Sequence, residues 1–566
     1  VIDEGNREDQ MEEFSVLIGG IAGDGINEAG QTAARLMSRQ GYRIFMYYDY
    51  PSLIRGGHNF SIVRASSERI GACRDEVDLL IALNQDTLDR HASRLKEDSI
   101  IIYDADKVKD KVPGERSCAI PVTEILKEEQ ALPVMKNSCI LGAFCRSTGI
   151  GWPVMEEVLR KHIPKGTELN LKVARRGYDA ASEFCRIDKL AGSPEPIASG
   201  NQAISLGLIR AGLEAYVAYP MTPSSSILDS MAHWAEEFGL KVLHPESEIA
   251  VILMAEGFAY AGLRSAVGTS GGGFCLMTEA LSLAGMAEIP LVIVMAQRTG
   301  PSTGLPTYTA QGDLNFVINA GQGEFPRLVV APGDAEDAYL WSAAALNLAW
   351  RYQVPAFILS DKIVSESLYS LPSDLVAKAE PPAAPLLWDG QGIYHRYRHS
   401  GNGVSPLAYP PQRGQVIKVD SYGHDAAGIT TEEAQITREM SEKRRLKALS
   451  LAAELQGYET VALFGKEEGK TCLLFWGSNK GVCKEVAERR GLRAAQMLVL
   501  WPFPEKRMRE ALQGVERLIA VECNCTGQMA ALCRQHGIDA DDLILKYDGR
   551  PFSPKDLELE LERRGA

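Results

Sequence analysis

Between residues 200 and 313 the chain gathers side chains whose types and neighbours suit chemistry on a small anion. Arg298 follows the strongly apolar run 291–296 and precedes Gly300-Pro301-Ser302-Thr303-Gly304. An arginine at the C-terminal end of such a strand opens toward the crevice where α/β proteins bind ligands, and its planar fork can hold a carboxylate bidentately. The structural alternative is a pairing with Asp313 or another acid. Glu246 and Glu248 stand just before the apolar stretch IAVILMAEGFAYAG. An apolar setting favours a neutral, proton-donating carboxylic acid; the plainer role for both is a carboxylate favoured by a helix dipole. Thr222 lies in a turn fixed by Pro220 and Pro223, where its hydroxyl can meet a ligand or cap the next helix. Ser224 and Ser225 read as caps, and Asn201 as either a cap or a weaker ligand contact. In Ser270-Gly271-Gly272-Gly273 the glycines let backbone approach closely.

A second glycine cluster, Gly19-Gly20-Ile21-Ala22-Gly23-Asp24-Gly25, sits between a strand and a helix. Three readings stand: a tight turn, a phosphate or coenzyme A contact at the helix N-terminus, or a dinucleotide site. The pattern is GGxxGxG rather than GxGxxG, and Asp49 is a weak candidate for the acidic partner a dinucleotide needs. Gly23-Asp24-Gly25 also matches the opening of a thiamine diphosphate–magnesium motif. The Asn-Asn that should follow is missing, Asn59 standing alone, so a metal at Asp24 is rejected. His58 and Arg55, in YPSLIRGGHNF, read equally as surface residues or as contacts at a site entrance or to coenzyme A. Eleven cysteines are scattered along the chain; Cys523 and Cys525 form a CxC with no second pair nearby. Clusters need about four converging thiolates, so the cysteines read as reduced structural thiols, with a redox or metal role for the CxC as the alternative.

These residues need elements to position them, and the chain supplies alternating strands and helices. With 566 residues it is too long for one core. Residues 12–185 open with a strand at 14–18, the glycine turn and a helix at 26–40 with apolar residues at helical spacing. Strands follow at 43–48, 59–64, 79–83 and 99–103, and helices near 134–147 and 153–161. After a polar linker a second strand–helix region covers 198–371. Residues 393–465 form an irregular connecting segment that ends in a charged helix at 441–455 containing EKRRLK, expected to be a solvated or inter-subunit face. Residues 466–566 form a last α/β region. The fold class is α/β, built of several doubly wound domains. A formal charge of −14 argues against nucleic acid and anionic membrane surfaces. No apolar run approaches the roughly 18 residues of a membrane span, and the acidic start VIDEGNREDQMEEF is the reverse of a secretory signal. A cytoplasmic location is expected.

The succession YPMTPSSSI, HPESEIAVILMAEGFAYAG, VGTSGGGFCLMTEAL and EIPLVIVMAQRTGPSTGLPTYTAQGDL closely resembles the α subunit of 2-oxoacid:ferredoxin oxidoreductases. The resemblance extends to most of the chain: residues 12–185 look like the family's γ unit fused ahead of α, and GSNKG, WPFPE and ECNCTGQM resemble the α C-terminal domain. It implies a pyrimidine-binding domain for thiamine diphosphate at 198–371 and a transketolase C-terminal-like domain at 466–566. It implies oxidative decarboxylation of a 2-oxoacid to acyl-CoA and carbon dioxide with reduction of ferredoxin. A β subunit would carry the diphosphate site, Mg2+ and a [4Fe-4S] cluster, the whole forming a dimer of αβ heterodimers. The resemblance assigns Glu248 to the pyrimidine N1′ contact, Arg298 and Thr222 to the substrate carboxylate or keto oxygen, and Tyr219, Pro220, Gly271 and Gly272 to the cofactor wall. 2-Oxoglutarate is the preferred substrate, with pyruvate and branched-chain 2-oxoacids as alternatives. The rivals are a lipoamide-linked dehydrogenase or transketolase-like enzyme, and a non-catalytic assembly subunit retaining the fold.

Overall fold

A computed structural model describes residues 11–52, 56–110 and 112–566. They fall into two compact units: one runs up to Ala198 and includes Ser367–Ser373 and Ser553–Asp556, and the other holds the remainder.

The first unit is built on an eight-stranded sheet. Its central strand, Glu13–Ile21, pairs parallel with Val77–Ala82 and antiparallel with His58–Ser66, in the register Val16 to Leu79 and Val16 to Val63. The sheet is therefore mixed. The glycine cluster ends the central strand and feeds the helix Ile26–Arg39, one residue shorter than expected. Gly25 takes the N-cap with φ 70°, and a Cβ there would meet Asn137 Nδ2 at 2.6 Å. Asn137 Nδ2 donates to the Asp24 and Gly25 carbonyls, and Asp24 is ion-paired with Lys136. The helix Thr167–Ala180 was not anticipated.

The second unit holds two sheets. The larger runs, in spatial order, Val499–Trp501, Leu328–Val330, Pro355–Asp361, Leu291–Gln297, Ser265–Thr269, Ala215–Ala218 and Lys241–Leu243. All pairs are parallel except the first. Every residue of Leu291–Gln297 and Pro355–Asp361 is buried, which is why these strands read as unbroken apolar runs rather than alternating ones. The smaller sheet has five strands, all parallel apart from the edge strand Val461–Gly465. One apolar core spans both sheets, from Val217 and Ile293 to Leu474 and Ala520.

Residues 379–433 contain neither helix nor strand, only two isolated bridges, Leu387 with Leu407 and His424 with Thr430. The helix that follows, Ala434–Glu454, starts earlier than expected. It is not simply a solvated face. Lys443 and Lys447 are buried and converge on the carboxylate of Glu288, at the C-cap of the helix Gly271–Ala287. Arg396 joins them, donating to the Ala287 and Glu288 carbonyls at 3.2 and 2.7 Å. Among the described residues no helix is long and apolar enough to cross a membrane.

Candidate active site

Glu248 is the first residue of the helix Glu248–Tyr260, entered from Ser247 in extended conformation. Its side chain is 5% exposed, and among the described residues its carboxyl has no hydrogen-bond or ion-pair partner. The carboxyl is therefore satisfied by no described group of this chain and still touches solvent, which leaves it accessible to a group from outside. The glycine turn makes the room. Gly273, in the first turn of Gly271–Ala287, is buried, and a Cβ on it would come 2.7 Å from Glu248 Oε1. Gly272 faces open space. Ser270 takes the N-cap without capping, its hydroxyl buried and unpartnered.

Arg298 leaves the end of the buried strand Leu291–Gln297. Its Nη1 donates to the Thr222 carbonyl at 2.9 Å, while its buried Nε has no acceptor. Burial pulls its pKa down, and Asp313 partly restores it. Arg298 lines a cavity of about 390 Å³ with Thr309, Asp313, Asn524, Gln528 and Tyr547. Thr222 does not cap the next helix. Ser224 occupies that N-cap, yet its hydroxyl donates backward to the Met221 carbonyl at 2.8 Å instead of capping, contrary to the capping role expected of it. Asn201, fully buried, donates to the Pro223 carbonyl at 2.7 Å and to Ser226 Oγ at 2.8 Å. It braces the Thr222 turn rather than facing a ligand. Tyr219 is 38% exposed, its ring edge-on to His244, and Pro220 is exposed beside it. The structure thus joins Arg298 to Thr222, and Glu248 to the glycine turn.

Other sequence candidates lie elsewhere. His58, in the first unit, is nearly buried and shares a 2.8 Å hydrogen bond with His91, so it is not a surface residue. Arg55 falls outside the described residues. Cys523 is buried, its Sγ donating to Asn479 Oδ1 at 3.3 Å, and burial pushes the thiol up; Cys525 is exposed. Among the described residues no group of three or more His, Cys, Asp or Glu could hold a metal.

Sequence reasoning missed three features. Gln311 is fully buried and ties the sheets of this unit: its Nε2 donates to the Trp476 carbonyl, and its Oε1 accepts from Asn479 Nδ2 and the Cys523 N–H. Glu256, one of the polar breaks in an apolar helix, is buried with neither oxygen hydrogen-bonded. Desolvation, then Glu279, pushes it up to about 8. The third is the exposed apolar edge of the same helix pair: Ile249, Leu253 and Met254 on one helix, and Leu276 on the other, are 51, 41, 41 and 50% exposed.

Comparison with known proteins gives the family. The family described as "Pyruvate flavodoxin/ferredoxin oxidoreductase, thiamine diP-bdg" matches residues 206–443, and "Pyruvate ferredoxin/flavodoxin oxidoreductase" matches residues 15–180. The α subunit of 2-oxoacid:ferredoxin oxidoreductase 2 from Aeropyrum pernix is 30% identical, covering 96% of each chain. The 2-oxoglutarate synthase subunit KorA of Archaeoglobus fulgidus is 30% identical over 60% of this chain and 92% of its own length. Among solved structures, 2-oxoglutarate:ferredoxin oxidoreductase from Magnetococcus marinus, with 2-oxoglutarate, coenzyme A and succinyl-CoA bound, superposes with a TM-score of 0.89 at 29% identity. That match covers 98% of this chain and 100% of the other. The chain belongs to the 2-oxoacid:ferredoxin oxidoreductase family, aligning nearly end to end with its α subunits.

Proposed function

We propose that this chain is the catalytic α subunit, with a γ-like region fused ahead of it, of an enzyme that oxidatively decarboxylates a 2-oxoacid. Acyl-CoA and carbon dioxide are the products and ferredoxin takes the electrons. 2-Oxoglutarate is the favoured substrate, a choice supported by the relative named 2-oxoglutarate synthase and the neighbour holding 2-oxoglutarate. Residues 12–185 form the γ-like part, 198–371 the pyrimidine-binding part, 393–465 the connector and 466–566 the transketolase C-terminal-like part. A cytoplasmic β subunit supplies the diphosphate site, Mg2+, the [4Fe-4S] cluster and the ferredoxin contact, in a dimer of αβ heterodimers.

The observation that carries this reading is the unpaired, solvent-touching carboxyl of the otherwise buried Glu248, beside an exposed apolar helix edge. Apart from Glu256 the stretch after Glu248 is apolar on every face, close to the pattern of a fully buried helix, yet this chain leaves one edge of it open. A partner covering that edge completes the burial and closes the pocket.

The residues present fit thiamine diphosphate: an orphan acid for the pyrimidine nitrogen, and glycines that let a ring come close. When bound, the cofactor supplies the carbon nucleophile and the electron sink that decarboxylation requires. Glu248 hydrogen-bonds the pyrimidine N1′. Gly271, Gly272, Tyr219 and Pro220 form the wall. Arg298 holds the 2-oxoacid carboxylate, and the Thr222 hydroxyl, which has no partner among the described residues, is free to bond the carboxylate or keto oxygen. The anchored Thr222 carbonyl keeps both groups in one register.

The test is co-expression with the smaller cluster-bearing chain, then coenzyme A-dependent viologen reduction across a panel of 2-oxoacids. Activity with 2-oxoglutarate ahead of pyruvate supports the reading. An assembled complex that turns over no 2-oxoacid overturns it.

A further inference from the structure

We infer that Asp313 is the internal counter-ion of Arg298, a positioning residue that takes up a proton when a substrate carboxylate docks on the guanidinium. The inference rests on the function proposed above and adds a residue to its substrate site.

Asp313 occupies the N-cap of the short helix Leu314–Asn319, a position where Asp normally accepts a backbone N–H of the first turn. Here the side chain makes no cap bond. It turns instead toward the glycine turn and the cavity that Arg298 lines, with both carboxylate oxygens 3.2 and 3.3 Å from where a Cβ on Gly271 would stand. The backbone holds it there: the Asp313 N–H donates to Gln297 Oε1 at 3.0 Å, and Gln528 Nε2 donates to the neighbouring Gly312 carbonyl at 2.8 Å. Among the described residues the carboxylate accepts no hydrogen bond and forms no direct ion pair. An Asp that forgoes its cap and faces a half-paired arginine across a cavity acts through charge.

Desolvation raises the Asp313 carboxyl to about 6, against the pull of Arg298. Arg298 is the one charged group that acts on it among the described residues. The other titratable groups on the cavity wall are Cys523, Cys525 and Tyr547, and Glu248 lies against Gly273, in the same helix turn that Asp313 approaches at Gly271. At neutral pH, Asp313 is ionised and balances Arg298 in the free enzyme. A substrate carboxylate arriving at the same guanidinium brings a second negative charge beside Asp313 and takes its counter-ion, so both effects favour the protonated acid. The bound state therefore holds more protons than the free state. Affinity is full below the free-enzyme value and falls as pH rises through it, by at most tenfold per pH unit for one proton.

The test uses the assembled two-chain enzyme. Binding of oxamate, a non-reacting 2-oxoacid isostere, is followed by calorimetry at pH 7 in buffers of different ionisation enthalpy, and KM for 2-oxoglutarate is measured from pH 5.5 to 8. The wild type is expected to take up a proton fraction on binding, with KM rising several-fold across that range and no matching step in kcat. Asp313→Asn abolishes the uptake and flattens the KM profile, whereas Asp313→Glu keeps both. Wild-type binding without proton uptake, or an Asn variant that keeps the wild-type pH profile, overturns the inference. Should no 2-oxoacid be turned over, the proposed function falls, while the oxamate calorimetry still decides the role of Asp313.

Discussion

Gly273→Ala isolates the contact on which the proposed chemistry turns. The added methyl would lie 2.7 Å from Glu248 Oε1 and 2.8 Å from its Cγ, and would also press on Thr269 Oγ1, where ordinary contact starts at 3.4 Å. The Glu248 carboxyl must then retreat by roughly 0.7 Å, because the backbone on both sides is helical and packed. An error of about 1 Å in a reacting geometry costs on the order of 100-fold in rate, so kcat is expected to fall roughly 30- to 100-fold. Folding should survive. Overpacking costs about 1–3 kcal/mol, offset by roughly 1 kcal/mol of helix propensity gained over glycine. The assay pairs viologen reduction by the assembled enzyme with thermal melting. A variant with near-normal kcat and an unchanged melting point would refute the reasoning, since Glu248 could then move without consequence. Gly272→Ala gives the contrast: nothing in this chain lies within 4 Å of the new methyl. Melting should hold or rise slightly with the helix propensity gained, and weakened thiamine diphosphate activation would report what the open side holds.

Other consequences are equally direct. Arg298→Ala removes the charge-assisted bond to the Thr222 carbonyl and the carboxylate fork, so KM for the 2-oxoacid should rise on the order of 10- to 100-fold while the complex still assembles; unchanged kinetics would sink the assignment. Glu256 has its carboxyl raised to about 8 by burial and then Glu279, so its neutral form stabilises the fold at low pH, and that contribution is lost as pH rises from about 4.5 through 8. Glu256→Gln should flatten the melting temperature over that window, and an unaltered pH profile would count against it. Burial pulls Lys447 down to about 7 against the pull of Glu288, whose own carboxyl Lys447 and Lys443 hold below the usual range despite its burial. Glu288→Gln leaves three buried cations facing one another and should cost about 3–5 kcal/mol in denaturant unfolding, whereas Lys447→Met should be neutral or stabilising.

What the sequence revealed depended on how local the cause was. The strand Leu291–Gln297 was legible because a parallel strand buried on both faces must be apolar throughout, and its C-terminal end then names Arg298 as a residue facing the crevice. The position of Glu248 at a helix start was legible from the apolar stretch that follows it, whereas its choice over Glu246 came from the family resemblance alone. The antiparallel course of His58–Ser66 was not, since strand direction leaves no mark on residue order. EKRRLK looks solvated in isolation. Its two buried lysines find their carboxylate 155 and 159 residues away, and no local pattern encodes that distance. Asp313 was named in the sequence as a partner for Arg298, but nothing local showed that it stands at a helix N-cap without making the cap bond.

If the proposed partner covers the open helix edge, assembly and activity become one event. In the helix Glu248–Tyr260, Ile249 and Leu253 lie along the open edge that begins at Glu248 itself. Covering those side chains gives a partner roughly 25 cal/mol of favourable free energy for each Å² of apolar surface removed from water. That gain arises at the end of the helix that carries the acid, so the contact that holds two chains together also dries the carboxyl. A drier site strengthens each hydrogen bond the acid makes and penalises any left unmade. In the separate chain Glu248 has neither a partner nor a closed surrounding. On the proposed two-chain reading, closing the pocket would give it both, and that would be a physical reason for the site to be divided between two polypeptides and silent until they meet.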